Sequence, residues 1–112
     1  MLRNVTTGNA YSDGEERRGW FVGSFISPSI SPRSSSTVEV KWGVHKEGDR
    51  RSEWTEPAET TTLSVLISGR FCLQFPDGEM MLATQGDYAL WLPGIAHCWR
   101  AEADSVVLTV RW

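Results

Sequence analysis

The side chains best suited to acid–base or metal chemistry in this sequence are its two histidines, His45 and His97. An imidazole titrates near neutral pH, so each is a candidate general acid or base, and its ring nitrogens also bind divalent metal ions. His97 follows an apolar run and the turn Pro93–Gly94, whereas His45 ends an alternating run. Several glutamates lie between residues 53 and 59, and a carboxylate among them would complete a metal site with the two histidines.

The composition is that of an ordinary globular domain and excludes several partners. The chain has 112 residues, 40% of them apolar, and a net charge of −3 with scattered arginines, so it offers no basic patch for nucleic acid. No apolar stretch approaches the roughly 20 residues of a membrane span, and the polar N-terminus lacks the apolar core of a secretory signal. We expect a cytoplasmic protein with Cys72 and Cys98 as free thiols, and a bridge between them stays open if their strands pair.

Short strands separated by turn residues dominate the pattern, and no segment of about ten residues has the period of a helix. Runs rich in β-branched and aromatic residues alternate with Gly, Pro and Asp-Gly turns, which is typical of a sandwich or barrel. A flexible N-terminal segment is predicted over residues 1–18 and a single all-β domain over 19–112. Within that domain, a Ser/Pro-rich connection (27–36) is expected to be extended and to lead into the barrel core (37–112).

The segment GDYALWLPGIAH (86–97) resembles the second conserved motif of the cupin superfamily, which runs from a glycine through a strand and a proline–glycine turn to a histidine. Here Gly86 opens the motif, Pro93–Gly94 makes the turn and His97 is the histidine. The resemblance covers residues 37–112. It implies an RmlC-like jelly roll, a small cupin-type β-barrel or sandwich of about 8–10 short antiparallel strands.

The first cupin motif carries most of the metal ligands of that superfamily, and here its frame is present without them. Alignment on the flanking glycines puts Trp54 and Glu56 where two histidines belong, and Thr62 where a glutamate belongs. Imidazole and carboxylate groups hold ions such as Fe, Mn, Zn or Ni, but of the usual ligands only His97 is kept. The resemblance therefore implies no assured cofactor. A divalent metal requires a shifted site of His45, His97 and Glu56 or a neighbouring glutamate.

The strand predicted over TVEVKWGVH (37–45) leaves two positions for His45 open. Its apolar residues share one face, and Glu39, Lys41 and His45 share the other. If the polar face meets solvent, His45 is exposed. If the end of that face turns into the barrel, His45 approaches His97 and completes the shifted metal site.

Side chains on the inner faces of the strands are expected to line a ligand pocket. The resemblance implies that Thr62 points into the barrel, and Ser64 follows by the two-residue period of a strand; such small hydroxyl residues leave space for a ligand. Trp99 shares the face of the candidate catalytic histidine. Pocket and surface positions are both open for Gln74 and for Arg111, whose guanidinium suits a carboxylate. The candidate pocket residues are Thr62, Ser64, Gln74, Trp91, Trp99 and Arg111.

Three functions fit this set of residues. The first is a metal-independent enzyme of isomerase, epimerase, cyclase or lyase type, in which His97 is the general acid or base acting on a small organic molecule. The second is a metal-dependent, dioxygenase-like enzyme that uses the shifted site of His45, His97 and a glutamate. The third is a protein that binds a small ligand without catalysis.

A homodimer is the expected assembly. A lone barrel of this size leaves apolar faces and strand edges uncovered, and the aromatic segment 19–27 is suited to pairing between two copies. Neither nucleic acid nor a membrane is expected as a partner.

Overall fold

The computed structural model describes residues 3–112, and these contain nine strands and two short helical segments. The strands are β1 (Trp20–Val22), β2 (Glu39–His45), β3 (Arg50–Arg51), β4 (Thr62–Ser68), β5 (Phe71–Phe75), β6 (Gly78–Leu82), β7 (Tyr88–Trp91), β8 (Cys98–Ala101) and β9 (Ser105–Arg111). The helical segments are α1 (Ala10–Gly14) and the 3-10 turn Glu15–Arg17. Within the described residues, no helix is both long and apolar enough to cross a membrane.

The strands form two antiparallel sheets that enclose the interior between them. The larger sheet has five strands in the order β1-β2-β9-β4-β7, and the smaller has four in the order β3-β8-β5-β6. Neighbouring strands in both sheets are antiparallel, because hairpins and longer returns rather than helical crossovers connect them. The predicted all-β jelly roll of short antiparallel strands is confirmed. The two-residue strand β3 was not predicted, since it lies in a polar, turn-rich segment.

The inner face of the larger sheet changes from apolar to charged along its strands. Three successive cross-strand pairs of β4 and β9 mark the change: Leu66–Val107, Ser64–Thr109 and Thr62–Arg111. The first pair belongs to the buried core, whose other members are Phe71, Leu73, Leu82, Trp91 and Ala101. In the second pair the two hydroxyl oxygens lie 2.7 Å apart and share a hydrogen bond. The apolar core therefore fills one part of the interior, and polar side chains surround the rest.

The N-terminal segment predicted to be flexible over residues 1–18 contains, in its described part, a helix that the sequence did not indicate. Asn9 caps α1 by accepting the backbone N–H of Ser12 at 3.1 Å. The helix packs against β1 and β2. A helix this short has too few residues to show an apolar period, so tertiary packing and its cap define it.

The Ser/Pro connection (27–36), predicted to be extended, is folded back in a series of turns. The backbone N–H of Gly23 donates to the carbonyl of Arg33 at 3.0 Å, and the N–H of Ser35 donates to the carbonyl of Gly23 at 3.2 Å. The guanidinium of Arg33 reaches the carbonyl of Phe21 at 3.1 Å. These bonds hold the connection beside β1, which corrects the expectation of an extended segment.

Cys72 and Cys98 are free and buried. Their strands β5 and β8 are neighbours, but Cys72 lies opposite Arg100 and Cys98 lies opposite Gln74. Diagonal positions of this kind are about 7–8 Å apart, which exceeds the usual Cα separation of a disulfide. The two thiols are therefore unbridged, in agreement with the sequence-based expectation.

Candidate functional site

A cavity of about 210 Å³ lies between the two sheets, where the polar part of the inner face begins. Buried side chains of Thr62, Ser64 and Trp91 form its floor. Lys41, Thr109, Arg111 and His97 form a half-buried wall, and the exposed side chains of Arg18, Arg51 and Glu56 lie at its rim. At about 30 Å³ per water molecule, this space suits a small organic molecule rather than a large one.

The structure brings together most of the residues that the sequence predicted for a pocket. Those that line the cavity are Thr62, Ser64, Trp91, Trp99 and Arg111. Gln74 does not, because Phe71 and Leu73 on the same strand point inward and alternation turns Gln74 to the outer face. There its amide donates to a Glu79 carboxylate oxygen at 3.2 Å. Gln74 therefore occupies the surface position, which is one of the two positions that the sequence left open.

Three hydrogen bonds join His97 to Thr55, and one of them involves the imidazole ring. The backbone N–H of Thr55 donates to the carbonyl of His97, and the backbone N–H of His97 donates to Thr55 Oγ1, both at 3.0 Å. The same hydroxyl oxygen lies 3.2 Å from Nδ1 of the ring. The imidazole ring also packs against the ring of Trp91, with the two ring centroids 4.9 Å apart. Nε2 is therefore the nitrogen left for a ligand in the cavity.

The surroundings of His97 keep its ring neutral. Burial lowers the pKa of His97 to about 4, and the positive charges of Arg51, Lys41 and Arg111 contribute in the same direction. At neutral pH the ring can therefore accept a proton, but it carries no proton that it could donate as an imidazolium.

His45 is not solvent-exposed, and it does not line the cavity that His97 lines. Its ring packs on Trp99, at 4.4 Å between centroids, and on Phe71, at 5.0 Å. The polar face of β2 thus points inward, and its apolar face points outward. Burial and the charge of Lys41 lower the pKa of His45 to about 4, against an opposing contribution from Asp49. The exposed position considered for His45 is wrong.

The shifted metal site predicted from His45, His97 and Glu56 is not formed. Among residues 3–112, no group of three or more His, Cys, Asp or Glu side chains is arranged to hold a metal ion. Glu56 lies at the exposed rim, and Trp54, at a ligand position of the first cupin motif, is 52% exposed. The basic side chains around His97 also oppose a divalent cation. The residues present do not fit the metal that such a scaffold implies.

Several residues of the cavity were missed by sequence reasoning: Arg18, Trp20, Lys41, Arg51 and Thr55. For Lys41 there was a signal, because alternation puts it on the same face of β2 as His45. Arg18 and Thr55 lie outside the strands, and their positions depend on the folding of connections that have no regular period.

Comparison with known proteins relates this chain to others through structure alone. It matches no protein-family model and no curated protein sequence. A cupin superfamily protein from Desulfitobacterium hafniense is 20% identical, with a TM-score of 0.61 over 68% of this chain and 67% of that one. A sugar phosphate isomerase from a cupin superfamily, from Silicibacter pomeroyi, is 21% identical, with a TM-score of 0.59 over 68% of this chain but only 50% of that one. KdgF from Halomonas sp. is 15% identical, with a TM-score of 0.60 over 69% of this chain and 70% of that one.

The two antiparallel sheets and these structural neighbours show that the chain has the small RmlC-like jelly-roll fold seen in cupin superfamily proteins. Identities this low establish the fold and not the activity. His97, the histidine of the 86–97 segment, lines the cavity, so the segment that marks the fold also contributes the candidate catalytic residue.

Proposed function

We propose that this cupin binds a small organic molecule between its sheets and that His97 takes a proton from it as a general base, in an isomerase-, epimerase-, cyclase- or lyase-type reaction. The observation that carries the proposal is the position of His97, a neutral imidazole held by Thr55 at the wall of the cavity of about 210 Å³ between the sheets. The two neighbours named as a sugar phosphate isomerase and as KdgF have the same fold and are consistent with a small-molecule ligand.

The base role uses one of the two neutral tautomers of His97. When Nδ1–H donates to Thr55 Oγ1, the lone pair of Nε2 faces the cavity and can accept a proton from a bound molecule. Packing against Trp91 limits rotation of the ring. Thr55 is thus a positioning residue, because it touches the histidine and holds the nitrogen that reacts.

Solvent deuterium exchange tests this role directly, because it follows the proton and requires no assumption about the product. Small sugars, sugar acids and aromatic acids are first titrated against tryptophan fluorescence, which responds to the cavity because Trp20, Trp91 and Trp99 line it. Compounds that bind are then incubated in D2O and followed by NMR. We expect deuterium to enter a bound compound with the wild-type protein and this exchange to fall by about 10²-fold or more in His97→Gln, with binding retained.

His45→Phe is the matched control, because His45 is the other histidine and does not line this cavity, and phenylalanine keeps the stacking on the cavity residues Phe71 and Trp99. Its exchange rate should equal that of the wild type. Exchange that continues in His97→Gln would rule out His97 as the base.

Non-catalytic ligand binding is the second candidate function, and the immediate surroundings of His97 favour it. Its side-chain hydrogen bond goes to a threonine hydroxyl, whereas a strong general base is commonly oriented by a carboxylate. Asp87, close in sequence, instead accepts the backbone N–H groups of Ala83 and Thr84 in a turn. Compounds that bind in the cavity without any exchange or product would establish this function in place of the enzyme.

We also propose that two copies associate through the outer face of the larger sheet. Alternation turns uncharged, mostly apolar side chains outward on its neighbouring strands, and Val44, Tyr88 and Leu90 are 48%, 62% and 48% exposed. A face without charges brings no like-charge repulsion between copies of a chain with net charge −3. Segment 19–27 is the interface expected from the sequence. We favour the outer face over it because Trp20 lines the cavity and Ile26 is buried within the protomer.

Light scattering tests the assembly. The wild type is expected to have the mass of a dimer at micromolar concentration, and Leu90→Glu the mass of a monomer, because a charge would be buried at the interface. Ile30→Glu is the control, since Ile30 is 88% exposed and lies in the connection 27–36 rather than on a strand of this sheet, so its substitution should leave the dimer intact. A monomeric wild type would contradict the proposal.

A further inference from the structure

The cavity carries a charge opposite to that of the whole protein. The chain has a net charge of −3, yet four basic side chains line the cavity and Glu56 is the carboxylate among its lining residues. The four are Arg18, Lys41, Arg51 and Arg111. Low-dielectric walls strengthen such a local field and raise the local concentration of an oppositely charged ligand.

Two of these cations lie within the wall and have few anionic partners. Arg111 forms an ion pair with Glu39 at 3.1 Å, but its Nε is buried without a hydrogen-bond partner. Among residues 3–112, Lys41 forms no ion pair. Burial, followed by the charges of Arg111, Arg18 and Arg51, lowers the pKa of Lys41. Like charges held together in a partly buried site are unfavourable unless a counter-charge joins them.

Aromatic side chains form the surface beside these cations. The guanidinium carbon of Arg111 lies 4.0 Å from the ring centre of Trp20, and Nζ of Lys41 lies 5.6 Å from it. Trp91, Trp99 and Phe71 line the cavity as well. A molecule that fills this space therefore meets positive charge at one part of its surface and aromatic rings at another.

We propose that the ligand of this cavity is a small organic carboxylate, held at its carboxylate by Lys41 and Arg111 and at its apolar or planar body by the aromatic wall. This inference rests on the proposed function and adds the chemical class of the ligand. A guanidinium matches the two oxygens of a carboxylate. A phosphate ester is less suited, because β4 and β9 each pair with neighbouring strands on both sides and so leave no backbone N–H groups for its oxygens, and the hydroxyls of Ser64 and Thr109 bond to each other.

The bound carboxylate also has a consequence for His97. Burial, followed by the positive charges of Arg51, Lys41 and Arg111, holds the pKa of His97 near 4 in the free protein, and the negative charge of the ligand offsets the contribution of those cations. Binding should therefore raise the pKa of His97 towards its ordinary value and make its ring a stronger base when the ligand is present.

Benzoate and benzamide form a matched pair of probes, because they share shape and differ in charge. In calorimetric titrations at low ionic strength, benzoate should bind at least about tenfold more tightly than benzamide. Lys41→Met and Arg111→Met should each weaken benzoate at least about tenfold and leave benzamide nearly unchanged. The exposed residues Lys46 and Arg50 supply the controls, and Lys46→Met and Arg50→Met should bind both probes as the wild type does.

Lys41→Met keeps the length of the side chain and leaves no carboxylate unpaired. If Arg111→Met fails to fold, the affinity of Lys41→Met for benzoate therefore tests the carboxylate inference by itself. NMR titration of the two histidines with and without benzoate should show the pKa of His97 rising. The carboxylate inference would be overturned by any of three results: benzamide binds as tightly as benzoate, inorganic phosphate binds more tightly than benzoate, or neither cavity variant weakens benzoate. The proposed binding of a small molecule in the cavity would stand in each of these cases. If neither benzoate, benzamide nor any sugar or acid of the fluorescence series binds, the proposed function itself fails.

Discussion

Lowering the pH from 7 to 4 is expected to remove several kcal/mol of the free energy of unfolding, chiefly through His45 and His97. Both have a pKa of about 4 in the folded protein, against 6.5 for an ordinary histidine. Below pH 6.5 the unfolded chain therefore binds protons that the folded protein does not, and stability falls as the pH drops towards 4. One pKa unit corresponds to about 1.4 kcal/mol, so each half-buried histidine contributes about 1–3 kcal/mol.

Urea unfolding at pH 7, 6, 5 and 4 measures this loss. His45→Phe keeps the stacking on Phe71 and Trp99, and His97→Asn keeps a polar group beside Thr55. The double variant should lose much less stability between pH 6.5 and 4.5 than the wild type does. The carboxylate of Glu79, whose pKa is lowered to about 2 by its hydrogen bond from Arg100, acts at lower pH. An unchanged slope in the double variant would show that other groups cause the acid sensitivity.

Replacing Gly69 by alanine is expected to cost about 3–4 kcal/mol of stability. Gly69 has φ +98° in the hairpin between β4 and β5, in the region that side chains other than glycine disfavour. A Cβ there would also meet the carbonyl oxygen of Asp104 and the hydroxyl of Ser105, and would lie 2.6 Å from the Cα of Ser105. That hydroxyl accepts the backbone N–H of Arg70 at 3.0 Å, so relief of the clash would disturb the hairpin.

Gly86 is the matched control, because its φ of +92° is nearly the same but a Cβ there would meet nothing within 4 Å. Gly86→Ala should therefore cost only the backbone term of about 1–2 kcal/mol. Thermal and urea unfolding of the two variants separates conformational strain from steric clash. Equal losses in the two variants would mean that the contacts at Gly69 add nothing to its backbone strain.

For the larger sheet, the local sequence pattern is not sufficient to predict which face of a strand points inward. Alternation over 37–45 correctly separates Lys41 and His45 from the valines of β2, but it does not say which set points inward. The usual rule that apolar residues face the core fails on this strand, because its inner face borders a polar cavity while its outer face is apolar. The packing of the His45 ring on Phe71 and Trp99 follows from that reversal.

The sequence by itself determined the all-β class and the segment Gly86–His97 that resembles the cupin motif. It also placed Thr62, Ser64, Trp91 and Trp99 among the candidate pocket residues, but it left the position of Arg111 open. These features are local, since they depend on two-residue alternation and on glycine and proline turns. Only the tertiary structure decided the charge of the cavity. Register between distant strands places Lys41 opposite Thr109 and Arg111 opposite Thr62, and connections without any period bring Arg18 and Thr55 to the same space. Because these like charges come together through pairing between distant segments, the spacing of residues along the chain does not predict them.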